Sequence, residues 1–422
     1  MNNTFINNNT YLPHRAWLTV FLLFLVALLN YLDRIMLVTM RSSVIDSIPM
    51  SEAQFGMLTS IFLWVYAALS PIAGYLADRF KRSHVIIMSL IVWSLVTWLT
   101  GHASSYNQLL FYRALMGISE AFYIPAAFAL IVDYHRGRTQ SLATGIHLAG
   151  VMLGQSLGFI GGWIAEQYSW NLAFNSFGIV GVVYAVVLIL LLRDPEHKGV
   201  DIPMNSKVEN DNKKIKVGFG EVLKVIFSKP AYIYLLVFWC VLGLVSWMIS
   251  AWLPTYYQEN YGLSQTRAGL FATAYLYPFS IAGAILSGVI TDKWSVKNKY
   301  ARVLVPMIGL LIAAPCVFMA SYTSMFVLAI IFFMVYGLTR MTVDNNMMPI
   351  MCLFIDNKYR ATAYGIMNMF NMFVGGLGIY LIGAMRDMNV EIGLIYQIAA
   401  LSLVLGVFIL YFVKRNIKIQ QK

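Results

Sequence analysis

Residues 16–38 of this chain read AWLTVFLLFLVALLNYLDRIMLV. The stretch is apolar over about 20 positions, the length that an α-helix needs to cross the hydrocarbon core of a bilayer. Asp33 and Arg34 are its only charged residues. A charge in hydrocarbon costs about 2.5–3.5 kcal/mol on insertion scales, so such residues usually face a bundle interior or a water-filled path. The stretch therefore predicts a membrane helix that carries part of a functional polar site.

The composition extends this prediction to the whole chain. Of its 422 residues, 59% are hydrophobic and 12% are charged, and the mean hydropathy is +0.69. That is too little polar surface to cover a soluble globule. We predict an all-α membrane protein of about twelve transmembrane helices. They are expected near 16–38, 52–76, 84–104, 107–132, 140–165, 173–192, 232–257, 266–291, 300–319, 324–353, 360–385 and 391–413.

The chain has a net charge of +11, and the positions of its basic residues indicate the membrane topology. Lys and Arg concentrate in alternate predicted loops, in the long central loop and in the C-terminal tail. By the positive-inside rule, both termini and the central loop are expected in the cytoplasm. The excess charge then indicates attraction to anionic membrane lipids and no nucleic-acid partner.

The remaining features of composition argue against processing, redox or metal chemistry. The segment up to Asn9 lacks the positive region and cleavage site of a signal peptide, so the first helix is expected to be retained. Cys240, Cys316 and Cys352 fall in apolar stretches without ligand-like spacing. We interpret them as small core residues and expect no metal and no cofactor.

The longest polar stretch divides the chain into two halves. Residues 193–230 are expected to form a cytoplasmic linker between six-helix bundles at 1–192 and 231–422. Residues 74–79 read GYLADR after the second helix, and residues 288–293 read GVITDK after the eighth. Each has Gly, three residues, Asp and a basic residue. Repeats of this kind are typical of transporters whose substrate site lies between the halves at mid-membrane.

These features resemble the major facilitator superfamily over essentially the whole chain. The loop signature of that family is matched by Gly74, Leu76, Ala77, Asp78, Arg79, Lys81 and Arg82, although Ser83 stands where a further basic residue is common. The resemblance implies a central cavity between the halves. It also implies a conformational latch formed by Gly74, Asp78, Arg79, Arg82 and, in the second half, Asp292. The alternative is an ordinary basic loop that ends a helix.

Four charged residues in the first half indicate a particular branch of this superfamily. Asn30-Tyr31-Leu32-Asp33-Arg34 in the first helix accompanies Arg113 and Glu120, which lie seven residues apart on one face of the fourth. The pattern resembles the anion:cation symporter branch, which includes sugar-acid and hexuronate permeases and sialate and phosphate carriers. Partly desolvated Asp33 and Glu120 are expected to take up protons, and Arg34 and Arg113 are expected to favour the ionised carboxylates, so we predict proton coupling through these four residues. The resemblance also implies that Tyr31 and Tyr66 line the substrate cavity.

The spinster-like lipid transporters are the main alternative, because their first and fourth helices carry a closely similar pattern. The second half favours an anionic ligand, since Arg340 lies well inside the tenth helix with Asp344 one turn later and Asn345 and Asn346 beside it. A guanidinium binds a carboxylate in bidentate fashion. The competing interpretation is an Arg340–Asp344 pair that satisfies only itself.

Other polar and aromatic residues are weaker candidates for substrate contacts. Gln155 stands where antiporters of the superfamily often have Pro, which favours symport. Asn371 is a candidate contact for sugar hydroxyls, with interhelical hydrogen bonding as the alternative. Trp252 and Tyr256 are candidates for stacking on a sugar face, with a membrane-interface position as the alternative.

The predicted function is import of a small organic anion by proton symport with alternating access. Hexuronates, aldonates and sialate are the expected class, and a lysolipid or a neutral or amino sugar is the alternative. No nucleotide loop, metal cluster or activated nucleophile is visible in the sequence, so we expect no enzyme activity. We expect a monomer in a bacterial cytoplasmic membrane.

Overall fold

The computed structural model describes residues 13–135, 139–195, 219–298, 300–356 and 359–420. Within these ranges, twelve helices are long and apolar enough to cross a membrane. This confirms the predicted fold class. The helices are α1 Pro13–Thr39, α2 Glu52–Arg79, α3 Arg82–Thr100, α4 Tyr106–Tyr134, α5 Gln140–Gln167, α6 Trp170–Leu191, α7 Pro230–Tyr261, α8 Gln265–Lys297, α9 Ala301–Tyr322, α10 Phe326–Met351, α11 Arg360–Asp387 and α12 Ile392–Gln420.

Short polar caps begin several of these helices. Ser51 and Gln54 form a capping box at the start of α2. Ser105 accepts a hydrogen bond from the backbone N–H of Gln108 and so begins α4. A turn of only a few residues therefore separates α3 from α4.

Two shorter helices complete the described chain, Arg41–Ser47 after α1 and Phe219–Phe227 before α7. The second lies inside residues 193–230, the predicted cytoplasmic linker, which therefore contains a short helix; its role as the linker between the two bundles stays a prediction. Ile226 in this helix is fully buried, and the Lys229 ammonium donates to the carbonyl of Phe354. The hydrophilic run from Asn205 to Lys216 lies outside the described residues.

Helices α4 and α10 are interrupted at the same relative place. In α4 the break follows Ala121, and in α10 it follows Asp344. Pro125 and Pro349 each stand at the third position of the helical segment that resumes after the break. Because proline has no N–H and its ring clashes with the carbonyl four residues earlier, neither helix continues without interruption. Glu120 and Asp344 therefore lie just before equivalent breaks in the two halves.

Glycines allow the helices that carry the site to pack closely. A Cβ at Gly150 of α5 would lie 2.4 Å from the carbonyl oxygen of Phe24, and one at Gly154 would lie 2.3 Å from that of Leu28. Both carbonyls belong to α1. The backbones of α1 and α5 are thus in direct contact, which fixes the position of the polar segment of α1.

An even number of crossings places both termini at one end of the bundle, here called the terminal end; the opposite end is the far end. Hydrogen bonds between the halves cluster toward the far end. The carboxylate of Asp387 accepts from the backbone N–H groups of Glu52 and Ala53, at 2.8 and 3.0 Å. The side chain of Gln265 bonds to Ser43 and to the carbonyl of Gly162. These contacts join α2 to α11 and α5 to α8.

Four charged side chains form an ion cluster across the halves at the far end. Arg386 bonds Glu259 at 2.6 Å within the second half and contacts Glu52 of the first half at 3.4 Å. Arg41 pairs with Glu52 and lies 4.0 Å from Glu259. Both guanidinium groups lie over the ring of Trp252, at 6.0 Å for Arg41 and 5.6 Å for Arg386. The far end is therefore closed by charge as well as by packing.

Candidate functional site

The centre of the first half holds a buried ion pair between α1 and α4. Arg34 donates from Nε to Oε2 of Glu120 at 2.6 Å, and the two side chains are 6% and 0% exposed. The guanidinium also lies 4.5–5.0 Å from the ring centres of Tyr31, Phe62 and Tyr66. An aromatic surround of this kind stabilises a desolvated cation. Arg34 is thus held by one carboxylate and three rings.

Asp33 contacts a different helix from its neighbour Arg34. Its Oδ2 accepts a 3.3 Å hydrogen bond from the hydroxyl of Thr97 on α3, and the residue is 4% exposed. Adjacent residues on a helix point about 100° apart, so the pair serves two separate partners. Asp33 forms no ion pair among the described residues.

Arg113 is buried and has no carboxylate partner within the part of the chain that the structure describes. Its Nε donates to the carbonyl of Leu58 at 3.2 Å, and Nη1 lies 3.2 Å from the sulfur of Met116. The guanidinium lies 4.9 Å from the ring centre of Phe62. The sequence predicts that both Arg34 and Arg113 favour the ionised carboxylates. Among the described residues only Arg34 does so by contact.

In the second half, Arg340 and Asp344 of α10 contact each other. Nη2 of Arg340 lies 3.3 Å from Oδ2 of Asp344, one helical turn away. The intrahelical pair considered from the sequence is therefore present. It leaves polar atoms unsatisfied, because Nε of Arg340 and Oδ1 of Asp344 are buried without a hydrogen-bond partner.

A cavity of about 160 Å³ lies between the halves and brings these groups together. Arg34 forms part of one wall and Arg340 with Asp344 part of the other. The remaining lining residues are Tyr31, Ile35, Met152, Gln155, Ser246, Trp247, Ser250, Tyr277, Ser280 and Met341. A second cavity of about 20 Å³ is lined by Arg34 and Arg113 together with Thr59 and Trp247. The Arg34 side chain thus borders both spaces.

Several lining residues were not identified from the sequence. Ser246 and Ser250 lie one turn apart on α7, and Tyr277 and Ser280 lie one turn apart on α8. Hydroxyl groups at i, i+3 or i, i+4 on an otherwise apolar helix mark one polar face. This spacing of hydroxyl groups in the sequence could have identified the four residues as cavity-lining.

Among the predicted substrate contacts, Tyr31, Gln155 and Arg340 line the cavity, and Tyr66 packs on Arg34. Three asparagines do not line it, because their amides are used in helix contacts. Asn345 donates to Ala284 and Ser287, Asn346 to Thr291 and Thr342, and Asn371 to the carbonyl of Trp239. We therefore withdraw all three as substrate contacts and regard them as packing residues.

Trp252 and Tyr256 also lie outside the cavity. Trp252 is 1% exposed and donates to the carbonyl of Ile379, beneath the far-end ion cluster. Tyr256 is fully buried and donates to the carbonyl of Ala320. Neither residue lines the cavity in this structure, and stacking on a sugar face stays a prediction.

The residues of the predicted latch lie at the terminal end. Arg82 pairs with Asp133 and donates to the carbonyl of Ala129, both on α4 of its own half. Asp292 is exposed at the end of α8. A Cβ at Gly74 would meet no atom within 4 Å. The side chain of Asp78 lies outside the described residues, and a contact between the halves through this latch stays a prediction.

Several known proteins are similar to this chain. Protein spinster homolog 1 of Xenopus tropicalis is 24% identical over 391 residues, which cover 87% of this chain and 72% of that protein. The probable galactarate/D-glucarate transporter GarP of Escherichia coli K12 is 25% identical, with coverage of 74% and 75%. The D-galactonate transporter of Escherichia coli O6:H1 is 26% identical, again with coverage of 74% and 75%.

Solved structures agree on the fold. A bacterial homologue of the human lysosomal transporter Spinster, in an inward-facing and occupied conformation, superposes with a TM-score of 0.76 at 21% identity, covering 97% of both chains. A point mutant of the nucleoside transporter NupG superposes with a TM-score of 0.74 at 12% identity, covering 94% of this chain and 99% of that one. The model of the Major Facilitator Superfamily matches residues 23–379. The chain therefore belongs to the Major Facilitator Superfamily and is a membrane transporter, not an enzyme.

Proposed function

We propose that this transporter moves a small organic anion of the sugar-acid class together with protons. The observation that carries the proposal is the cavity flanked by Arg34 of one half and Arg340 of the other. Within the described ranges each guanidinium has a buried nitrogen without a hydrogen-bond partner, Nη2 of Arg34 and Nε of Arg340. A buried donor left unpaired costs about 1–3 kcal/mol, more when charged. A carboxylate placed between the halves would satisfy these donors.

The size and lining of the cavity favour a small polar solute. About 160 Å³ is below the roughly 300–1,000 Å³ typical of pockets for drug-sized ligands. Ser246, Ser250 and Ser280 offer hydroxyl groups to a polyol chain, and Asp344 offers a carboxylate acceptor. Acids of this kind are named for the Escherichia coli relatives, which supports the same class here.

Proton coupling follows from competition for Arg34. A substrate carboxylate that binds this guanidinium displaces Glu120, and a buried carboxylate without its cation is costly as an ion. Glu120 then takes a proton, and Asp33, whose one side-chain partner among the described residues is the Thr97 hydroxyl, takes another. One proton per monovalent anion is electroneutral. Two protons per monovalent anion carry one net positive charge. Its inward movement is favoured by about 2.3 kcal/mol per 100 mV of membrane potential.

In this proposal both termini lie in the cytoplasm of a bacterial cell, and the protein acts as a monomer. The far end then faces outward, and the conformation with its ion cluster formed is the one closed to the outside. Release of substrate and protons to the cytoplasm restores the Arg34–Glu120 pair. The latch around Asp78 and Arg82 is proposed to close the terminal end in the opposite conformation.

Transport by the purified protein in proteoliposomes tests the proposal. Under an inside-alkaline pH gradient we expect saturable accumulation of D-galactonate or D-glucarate that a protonophore abolishes. Competition by hexuronates and sialate, with little effect of neutral or amino sugars, would define the class. Absence of accumulation for every sugar acid would overturn the proposed function.

A spinster-like lipid carrier is the second candidate, favoured by the 24% identity to the Xenopus tropicalis protein over most of the chain. The same liposomes distinguish the two functions. Transport of a lysolipid, with no competition by sugar acids, would replace the first proposal with this one.

A further inference from the structure

Each half of the transporter contributes one arginine–carboxylate pair to the central site. In the first half Arg34 bonds Glu120 at 2.6 Å, and in the second half Nη2 of Arg340 lies 3.3 Å from Oδ2 of Asp344. The two arginines line the same cavity from opposite walls. A solute with a carboxylate at each end can reach both guanidinium groups at once. Two facing pairs are therefore complementary to a dicarboxylate.

The two carboxylates occupy equivalent places in their helices. Glu120 and Asp344 lie at the end of the first segment of α4 and of α10. Pro125 and Pro349 have no N–H, so the backbone carbonyl directly after each carboxylate lacks its usual helical donor. The negative end of a helical segment disfavours a further negative charge. Each carboxylate is therefore expected to depend on its arginine to stay ionised.

The pair in the second half is the weaker of the two. Its side chains are 28% and 23% exposed, against 6% and 0% for the first pair, and its separation is longer. An exposed pair contributes little, because water replaces either partner. In the described ranges Nε of Arg340 and Oδ1 of Asp344 also have no hydrogen-bond partner. An entering carboxylate therefore meets less competition at Arg340 than at Arg34.

We infer that the preferred substrate is a dicarboxylic sugar acid, which binds Arg340 with one carboxylate and Arg34 with the other, and that Glu120 and Asp344 each take up one proton when displaced. Two carboxylates that share one guanidinium repel each other, and a proton on one of them removes the repulsion. The inference rests on the proposed function and narrows its substrate class. It requires one proton more for a dicarboxylate than for a monocarboxylate, so the net charge moved per molecule is the same.

The other ionisable groups beside the second pair are phenols. Tyr277 of α8 and Tyr336 of α10 lie near Arg340, and Tyr364 of α11 lies near Asp344. Phenols are neutral near pH 7 and add no charge. The charged residues that line the cavity, within the part of the chain described, all belong to the two pairs. An additional proton that accompanies a second substrate carboxylate is therefore assigned to Asp344.

The surroundings of the first pair are the same for either kind of acid. The charged side chains near Glu120, besides its partner, are Asp33 of α1 and Arg113 of α4, and the phenols of Tyr31 and Tyr66 lie nearby on the guanidinium. None of these groups lies in the second half. Their contribution to the proton count cancels when two substrates are compared in one protein.

D-Glucarate and D-gluconate provide the matched comparison, because they differ only at C6, a carboxylate in one and a hydroxymethyl group in the other. In proteoliposomes of the wild-type protein we expect a KM for D-glucarate about tenfold lower, the effect of one added charged hydrogen bond. With the membrane potential held at zero, the pH gradient that balances a known substrate gradient gives the number of protons per molecule. That number should be higher by one for D-glucarate.

Asp344→Asn tests the assignment of the additional proton. The amide takes up no proton and no longer pairs with Arg340 as an ion. We expect the proton number for D-glucarate to fall to that for D-gluconate, and the KM for D-glucarate to fall as well, because Arg340 has lost its competitor. Asp46→Asn, on an exposed residue of the helix Arg41–Ser47, is the control with unchanged values.

Equal KM values or equal proton numbers for the two acids in the wild type would overturn the inference and leave the proposed function in place. This comparison needs no variant, so it decides the question even if Asp344→Asn does not fold. An additional proton retained by a folded Asp344→Asn protein would also overturn the inference. Absence of accumulation for both acids would instead overturn the proposed function.

Discussion

Arg34 is the residue that would couple the two proposed ligands of the transporter, the substrate anion and the proton. It bonds Glu120, is surrounded by three aromatic rings and borders the cavity between the halves. The rings hold the cation without neutralising it, so the charge of Arg34 is balanced by one anion at a time. In the proposed cycle Glu120 and a substrate carboxylate compete for this cation, and the competition is the proposed basis for coupling.

Replacing Glu120 by Gln tests the coupling at this residue. The amide is neutral like the protonated acid and releases no proton. We expect loss of accumulation driven by a pH gradient, with counterflow exchange of substrate retained. Uptake of labelled D-galactonate, measured once under a pH gradient and once in counterflow exchange, tests this expectation. Glu391→Gln, on an exposed residue at the far end, is the control. Full gradient-driven accumulation by Glu120→Gln would contradict the role.

Replacing Arg340 by Lys tests the binding of substrate by the second half. Lysine keeps the charge but lacks the planar fork that binds a carboxylate bidentately. A hydrogen bond to a charged group contributes about 1.5–3 kcal/mol, so we expect KM for a sugar acid to rise about 10- to 100-fold with kcat little changed. Arg302→Lys on α9, outside the cavity, serves for comparison. A KM equal to that of the wild type would remove Arg340 from the site.

At the scale of elements, the breaks in α4 and α10 decide which residues reach the cavity. Pro349 interrupts α10 directly after Asp344, and Asn345 and Asn346 fall in the break, where their amides turn to α8 and to their own helix. Pro125 interrupts α4 in the same way after Glu120.

The sequence alone predicted the twelve helices and the buried charges of α1 and α4. Apolar length and the cost of burying charge are local properties, and both are readable from composition and spacing. The depth and rotation of a side chain on a buried helix are set by its neighbours. Trp252, Tyr256 and Asn371 were therefore placed in the cavity from residue type, although packing turns them to other helices.

The contact between α1 and α5 gives a prediction at this scale. Gly154→Ala would place a methyl group against the carbonyl of Leu28, and overpacking of this kind costs about 1–3 kcal/mol. We expect a lower melting temperature in detergent and slower uptake, because α1 carries Tyr31 and Arg34. Gly145→Ala on the same helix meets no atom within 4 Å and should be neutral. Equal melting temperatures for the two variants would show that α1 and α5 are not closely packed.

For the whole molecule, alternating access requires contacts that form at one end and break at the other. The far-end cluster of Arg41, Glu52, Glu259 and Arg386 connects the halves through partly exposed pairs. Such pairs contribute less than about 1 kcal/mol each, so they bias the equilibrium between conformations without locking it. A gate that must open in every cycle needs this moderate strength.

Arg386→Ala removes the contact of the second half with Glu52 and leaves Glu259 without its closest cation, while the Arg41–Glu52 pair remains. We expect the population with an open far end to rise about two- to fivefold, which corresponds to less than about 1 kcal/mol. Spin labels on exposed Ser47 and Met388, in a protein whose three cysteines are replaced by serine, would report the distance between the halves. A larger fraction of long distances is expected, and Arg415→Ala at the terminal end should leave the distribution unchanged. Identical distributions for Arg386→Ala and the parent would mean that packing of α2 on α11 closes the far end without help from the charges.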